Sequence, residues 1–547
     1  MKGDFTRNTF EPARNFSRVL MQQGRVTLDA DFNEQTSILI NYMRYLALDM
    51  FGPHAGPQNG GGFEIVATVT ANWKDRAAAL LTPFHTKAEV DKIVQKMNDN
   101  GDFLIGAGRY YVAGLHVINP RPVLYSAQEG YALFDSASQL ANLKQISNTR
   151  GYLFYLDVWE LPVTALEFDL LREVALGGPD TCMRARVNWQ VRAAICPDDL
   201  MGNNDAGSPK FTCDYADRLP GLGTGKLRAR ARLDKPPLEL CAIPPESRYR
   251  GAENQLYRVE IHAAGNGAPP RSTERVGPRS AAAADRAIPL LDTINLDLAN
   301  TVNTNANAAG APANTMPVET VNPAAIATFV WSRENGSVVL PLLSLTDPTA
   351  VVSFLGRDRR LGLKPGDLVE VTDDSLADAG LAGPLAEVKI VDSDKMTVTL
   401  QLAKQGTPKR AYVPGDADTL HPRLIRWDKA GDMDADGAIK VVEGPDEDEP
   451  NTGWIELEDG VQIRFELGGS YRVGDYWQIP ARVVTGDVEW PRTADDDGNP
   501  IALPRSARGE RHFYAPLGLS GPANAANGAA TWSDCRCLIE RLPCAKK

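Results

Sequence analysis

Apolar side chains recur at helical spacing over only two long stretches of the chain. Phe32, Leu39, Met43, Leu46 and Met50 share one stripe between Phe32 and Phe51, Asp31 and Glu34 suit a capping box at its start, and Gly52-Pro53 stops it. From Lys87 to Asn98, Val90, Ile93, Val94 and Met97 line one face behind Thr86 and Glu89. Both stripes are expected to face a core.

Elsewhere the pattern shortens to that of strands. Phe103 to Ile105 and Arg109 to Val112 lead into the turn Ala113-Gly114, and Tyr152 to Trp159 is an apolar run suited to a buried strand. Around Tyr257, Val259 and Ile261 the apolar positions alternate with Arg258, Glu260 and His262, which predicts a sheet with one wet face. Asp367 to Val371, Leu385 to Val391 and Met396 to Leu402 follow one another through Asp- and Gly-rich turns, a rhythm that suits a small closed barrel or compact sandwich. Trp454 to Glu458 and Val461 to Phe465 flank the hairpin signal Asp459-Gly460, and Tyr476 to Ile479 follows.

The stretch 263–323 breaks this rhythm. It is rich in Ala, Asn, Pro and Gly, with almost no large apolar side chain from Asn303 to Ala313, and is expected to be a mobile insertion with a short helix near Asp292 to Leu298. The expected fold is mainly β and multidomain, with β-sandwich and small β-barrel modules and an N-terminal helix-containing module. Its divisions are an α+β module at 1–150, a sandwich-like domain at 151–340, a barrel-like domain at 341–405 and a C-terminal β domain at 406–547.

Composition narrows the function. The 547 residues carry a formal net charge of -12, which deprives a phosphate backbone of its main attraction, so nucleic acid is not an expected partner. Neither an apolar leader near Met1 nor a bilayer-spanning run is visible, which points to synthesis in the cytoplasm. Seven cysteines are few and odd in number, so most are expected to be thiols, including the tail group Cys535, Cys537 and Cys544.

The sharpest local motif is acidic. Asp432, Asp434 and Asp436, with Gly437 and then Glu443, match the ligand spacing of a calcium loop, positions one, three, five and twelve. Its flanks, Leu424 to Trp427 and Ala438 to Val442, read as strands, so any calcium would pin a hairpin. Because Asp and Gly are both favoured in turns, a plain solvated turn stays open as the other reading. No nucleophile elbow, phosphate-cradling loop or paired-histidine zinc motif occurs, and no catalytic residues are expected.

Longer motifs carry a resemblance. These are Met1-Lys-Gly-Asp-Phe-Thr-Arg7, the run from Met21 to Glu34, Gly108 to Gly114, Tyr155-Leu-Asp-Val-Trp-Glu160 and Ala175 to Thr181. Further on stand Glu253 to His262, Trp331-Ser-Arg-Glu-Asn-Gly-Ser337, Gly453 to Gly460 and Gly474 to Arg482. Together they resemble a bacterial domain family of unassigned function encoded beside phage-tail-like contractile injection systems, which in some relatives precedes a parallel β-helix. The segment 263–323 departs from that pattern, and no β-helix follows Cys544.

The resemblance implies a non-enzymatic structural component of such a particle, baseplate-proximal or peripheral. It would work by assembly with other injection-system proteins, as a homo-oligomer by particle symmetry, and be released extracellularly with the particle. The alternative is a cell-surface or glycan-binding module, with polysaccharide hydrolysis as its enzymatic extension.

Overall fold

The expected strands form, and the chain is mainly β. The computed structural model describes residues 1–129, 152–195, 213, 223–231, 249–268, 325–402 without 357 and 359, 411–429, 437–444, 453–523 without 495–497 and 499, and 530–540. The stretch expected to hold a short helix near Asp292 lies outside the described residues, as do Cys544 and most of 263–323. The first residues of that stretch are ordered, since Gly265–Asn266 pairs antiparallel with Ser470–Tyr471.

Three bodies share the chain. The first joins the hairpin Gly108–Val112 and Leu115–Asn119, whose turn residues Ala113 and Gly114 both take positive φ, to a second sheet. That sheet orders Ala530–Asp534, Phe513–Ala523, Tyr152–Val163 and Arg184–Ile195, so late strands close on early ones. Phe63, Phe103, Tyr110, Tyr125, Phe154 and Leu517 fill its core. In the second body Gln255–Ala263 runs between Thr328–Ser332 and Tyr476–Arg482, and a facing sheet with Lys226–Ala231 and Val461–Phe465 buries Tyr257, Phe329, Trp331, Phe465 and Trp477 in a shared core.

The third body is a closed six-stranded barrel. Around it run Val339–Thr346, Thr349–Val352, Thr397–Leu402, Leu385–Asp392, Leu368–Thr372 and Arg423–Trp427. Closure leaves no edge strand to be capped. A short helix, Asp374–Asp378, hangs between two of these strands, with the Asp373 side chain accepting a hydrogen bond from the Leu376 amide.

Several expectations are corrected. The helix α1 covers Asp29–Phe51, starting three residues early; Leu28 is its N-cap and Asp31 accepts from the Leu28 amide, while Glu34 is taken up by Thr9. More consequentially, its stripe faces solvent, because the helix rests on the body through Ala30 and Ile38 on the opposite side. The nine-residue α2, Trp73–Leu81, was not expected; at that length it shows too little periodicity to be read. By contrast α3, Lys87–Asn100, has the expected Thr86–Glu89 box and buries Val90 and Met97.

Two further corrections concern polar groups. The face of Gln255–Ala263 expected to be wet is closed, with Arg258 0 % exposed and Glu260 7 %. The residues that cover it come from elsewhere in the chain. Cys535 is not a thiol but is bonded to Cys213, 322 residues away, a pairing that spacing along the tail cannot reveal. Cys182 and Cys537 are free. None of the described helices is long and apolar enough to cross a membrane.

Candidate functional site

Alternation in Gln255–Ala263 puts Tyr257, Val259 and Ile261 into the core and leaves Arg258 and Glu260 on the other face. Two charges cannot be buried there alone. Lys2 reaches Glu260 at 2.7 Å, Arg258 donates to the same carboxylate, and the Arg258 guanidinium lies 3.7 Å over the Tyr476 ring. Burial works to raise the Glu260 carboxyl, and Arg258 and Lys2 outweigh it, so it sits below the usual range. For Lys2 burial works downward, and Glu260 and Glu370 leave the amine above its ordinary value.

Asn335 locks this cluster. Its φ of 53° lies in the left-handed region, which Asn tolerates, and the following Gly336 is also positive. The side chain donates to the carbonyls of Met1 (3.2 Å) and Gly3 (2.9 Å) and accepts from Gln478 (3.0 Å) and Arg258 (3.4 Å). Arg333 bridges Asp428, beside the barrel strand Arg423–Trp427, and Glu458 of the second body, both at 2.9 Å, and Glu334 meets Arg426 at 3.1 Å. Arg258 and Glu260 thus pair with each other, whereas the neighbours Arg333 and Glu334 each take other partners.

A second buried group ties the first body together. Asp157 accepts from Arg192 at 3.0 Å and contacts the His512 ring at 2.7 Å, while that ring stacks on Trp159. A third joins the first body to the barrel, where Asp378 accepts from Arg186 at 2.6 Å and from Asn188 at 3.1 Å. Burial pushes the Asp378 carboxyl up to about 6 despite Arg186. The folded chain then keeps a proton there that the unfolded chain has lost, so stability falls as pH rises from about 4 through that value. Asp378→Asn is expected to flatten the melting temperature across this window; an unchanged slope would contradict it.

One open cleft of about 550 Å³ is lined by Glu64, Asp75, Arg76, Trp532 and Asp534 among others. Arg76 holds Glu64 through two bonds of 2.6 and 2.5 Å, and Arg536 holds Asp534 likewise at 2.9 and 2.6 Å. With their oxygens so engaged, Glu64 and Asp534 are arranged as ion pairs rather than as an acid and a base.

Of the calcium residues, Asp432, Asp434 and Asp436 lie outside the described residues. Glu443 is buried, and its two oxygens accept the Gly468 and Gly469 amides, each at 2.8 Å. A side chain on Gly267 would collide with this carboxylate. Burial raises the Glu443 pKa against those two bonds. In this setting Glu443 closes a turn. Among the described residues no group of three or more His, Cys, Asp or Glu is gathered for a metal.

The surface offers the contrast. On α1, Phe32 is 64 % exposed, Leu39 52 %, Tyr42 67 %, Met43 67 %, Leu46 47 % and Met50 65 %. The preceding arm adds exposed Phe16, Leu20, Met21 and Val26. A second excursion, between Tyr152–Val163 and Arg184–Ile195, carries Leu170 and Val174 almost bare and Leu176 exposed. Contiguous apolar surface of this kind is unusual on a free monomer.

Residues 1–199, 218–290 and 305–547 match the family of unknown function DUF6519. The chain belongs to that family. No curated protein and no solved structure matches it. The DUF6519 match breaks at 200–217 and at 291–304, so it covers 263–290 and 305–323 of the segment expected to depart from the family pattern, and it takes in α1, the exposed excursion and every residue of the Lys2–Arg258–Glu260–Asn335 cluster. Sequence reasoning missed Lys2, Asn335 and the Asp157–His512 contact as partners. The one available signal was a pair of opposite charges on the second face of an alternating strand.

Proposed function

We propose that this protein is a structural component of a multi-protein assembly of the phage-tail-like contractile injection kind, acting through protein–protein contacts with other particle proteins. The observation that carries this reading is the exposed apolar surface of α1 and its arm, set on a body whose buried charges are spent on holding its own parts together. Such a surface gains free energy only when another surface covers it, at roughly 25 cal/mol per Å². The choice of this kind of assembly is supported by the resemblance of the sequence motifs to a family encoded beside injection systems.

The test is mass spectrometry of particles purified from the native cells, with an affinity-tagged chain as the reciprocal. The protein is expected with sheath and baseplate proteins in both directions. Its absence from intact particles would overturn the proposal.

A second reading, glycan binding, is favoured by the Trp532 ring in the cleft beside Glu64 and Asp75. Binding of the intact chain to cell-wall polysaccharide, lost in Trp532→Ala, would support it.

A further inference from the structure

We propose that the outward face of α1 pairs with the same face of a second copy of this chain, as a short coiled coil. This rests on the assembly reading above and names one partner for its surface. The outward positions are Phe32, Thr36, Leu39, Met43, Leu46 and Met50, in steps of four, three, four, three and four residues. That is the alternation of a coiled-coil seam. Apart from Thr36 the seam is apolar, and the Thr36 hydroxyl donates to the Phe32 carbonyl of its own helix, so no polar hydrogen is left for a partner to satisfy.

The body holds the helix so that this seam stays clear. Ala30 and Ile38 face inward, Arg44 reaches Glu160 at 2.7 Å, and Glu34 and Gln35 hold the arm through Thr9 and the Val19 amide. These contacts fix which side of α1 points out. The seam is therefore presented on an anchored helix, which lowers the ordering cost of association.

Area and charge decide the occupant. With side chains of about 200 Å² each, the exposed fractions of Phe32, Leu39, Ile40, Tyr42, Met43, Leu46 and Met50 amount to roughly 800 Å², the share one partner gives to a standard stable interface. The positions flanking the seam are Asn33, Gln35, Ile40, Tyr42, Ala47 and Asp49, so only one carries a charge. Charges at such positions select an oppositely charged helix; an uncharged set lets two identical helices meet without repulsion. A face that fits itself gives a closed two-fold contact.

Sedimentation velocity of the intact chain, from submicromolar to tens of micromolar, tests this. The wild type is expected to move from monomer to dimer mass. A variant carrying Leu39→Lys and Met43→Lys should stay monomeric at every concentration, with unchanged far-ultraviolet circular dichroism and melting temperature. Met43→Cys, placed in a chain that also carries Cys182→Ser and Cys537→Ser, guards against misfolding of that variant, because on mild oxidation it should give a covalent dimer absent from the same chain with Met43 intact. A wild type that stays monomeric, a dimer that survives the double substitution, or no cross-link through Met43→Cys would each overturn the pairing. A monomeric chain still found in particles would sink the pairing and leave the assembly role standing. A chain that pairs through the seam but is missing from particles would do the reverse.

Discussion

Arg258→Met is expected to lower the stability of the chain by about 3–5 kcal/mol, because it leaves Glu260 buried with one of its two cations removed. The readout is the urea midpoint of the second body, followed by the fluorescence of its tryptophans. A hydrophobic side chain of similar length keeps the packing over Tyr476, so the loss reports charge and not volume. Adding Glu260→Gln to the variant should deepen the loss, since Lys2 is then left buried without its carboxylate. A midpoint unchanged in Arg258→Met would show that the cluster does not clamp Lys2 and the Asn335 loop to the sheet.

Asp157→Asn is the second large effect, at about 3 kcal/mol, since it strands the Arg192 guanidinium inside the sheet. Its pH dependence is specific. Burial works to raise the Asp157 carboxyl, but the contacts with His512 and Arg192 hold it below the usual range. A carboxyl depressed on folding stabilises the chain above its unfolded value of about 4, and that stabilisation is lost as pH falls through the folded value. The midpoints of wild type and Asp157→Asn should therefore be far apart at neutral pH and converge in acid. A gap that stays constant with pH would contradict the assignment.

Strand existence was legible because alternation and turn chemistry are local. Ala113-Gly114 and Asp459-Gly460 each turn a hairpin with positive φ at both residues, as their sequence suggests. The barrel was visible from its three middle strands, but closure depends on Arg423–Trp427 pairing with both Val339–Thr346 and Leu368–Thr372, contacts that no local pattern encodes. The cluster around Glu260 failed for the same reason. Arg258 and Glu260 look like a solvated face until Lys2 arrives from the far end of the chain and Asn335 from the loop after Thr328–Ser332.

The α1 stripe shows the opposite failure. Periodicity establishes that one face is apolar, and it says nothing about whether this chain or another supplies the cover. Here the body takes the other side of the helix, through buried Ala30 and Ile38 and the Arg44–Glu160 pair. The larger face is left for a partner.

Oxidative footprinting of α1 tests that claim most directly, comparing the dilute free chain with the chain inside purified particles. Met43 and Met50 lie on the open face, whereas Met97 in α3 is fully buried and serves as the internal control. Rapid oxidation of Met43 and Met50 is expected in the free chain, with strong protection of both in the particle and slow oxidation of Met97 in each. Equal oxidation of Met43 and Met50 in the two states would mean that nothing covers the helix, and would contradict that claim.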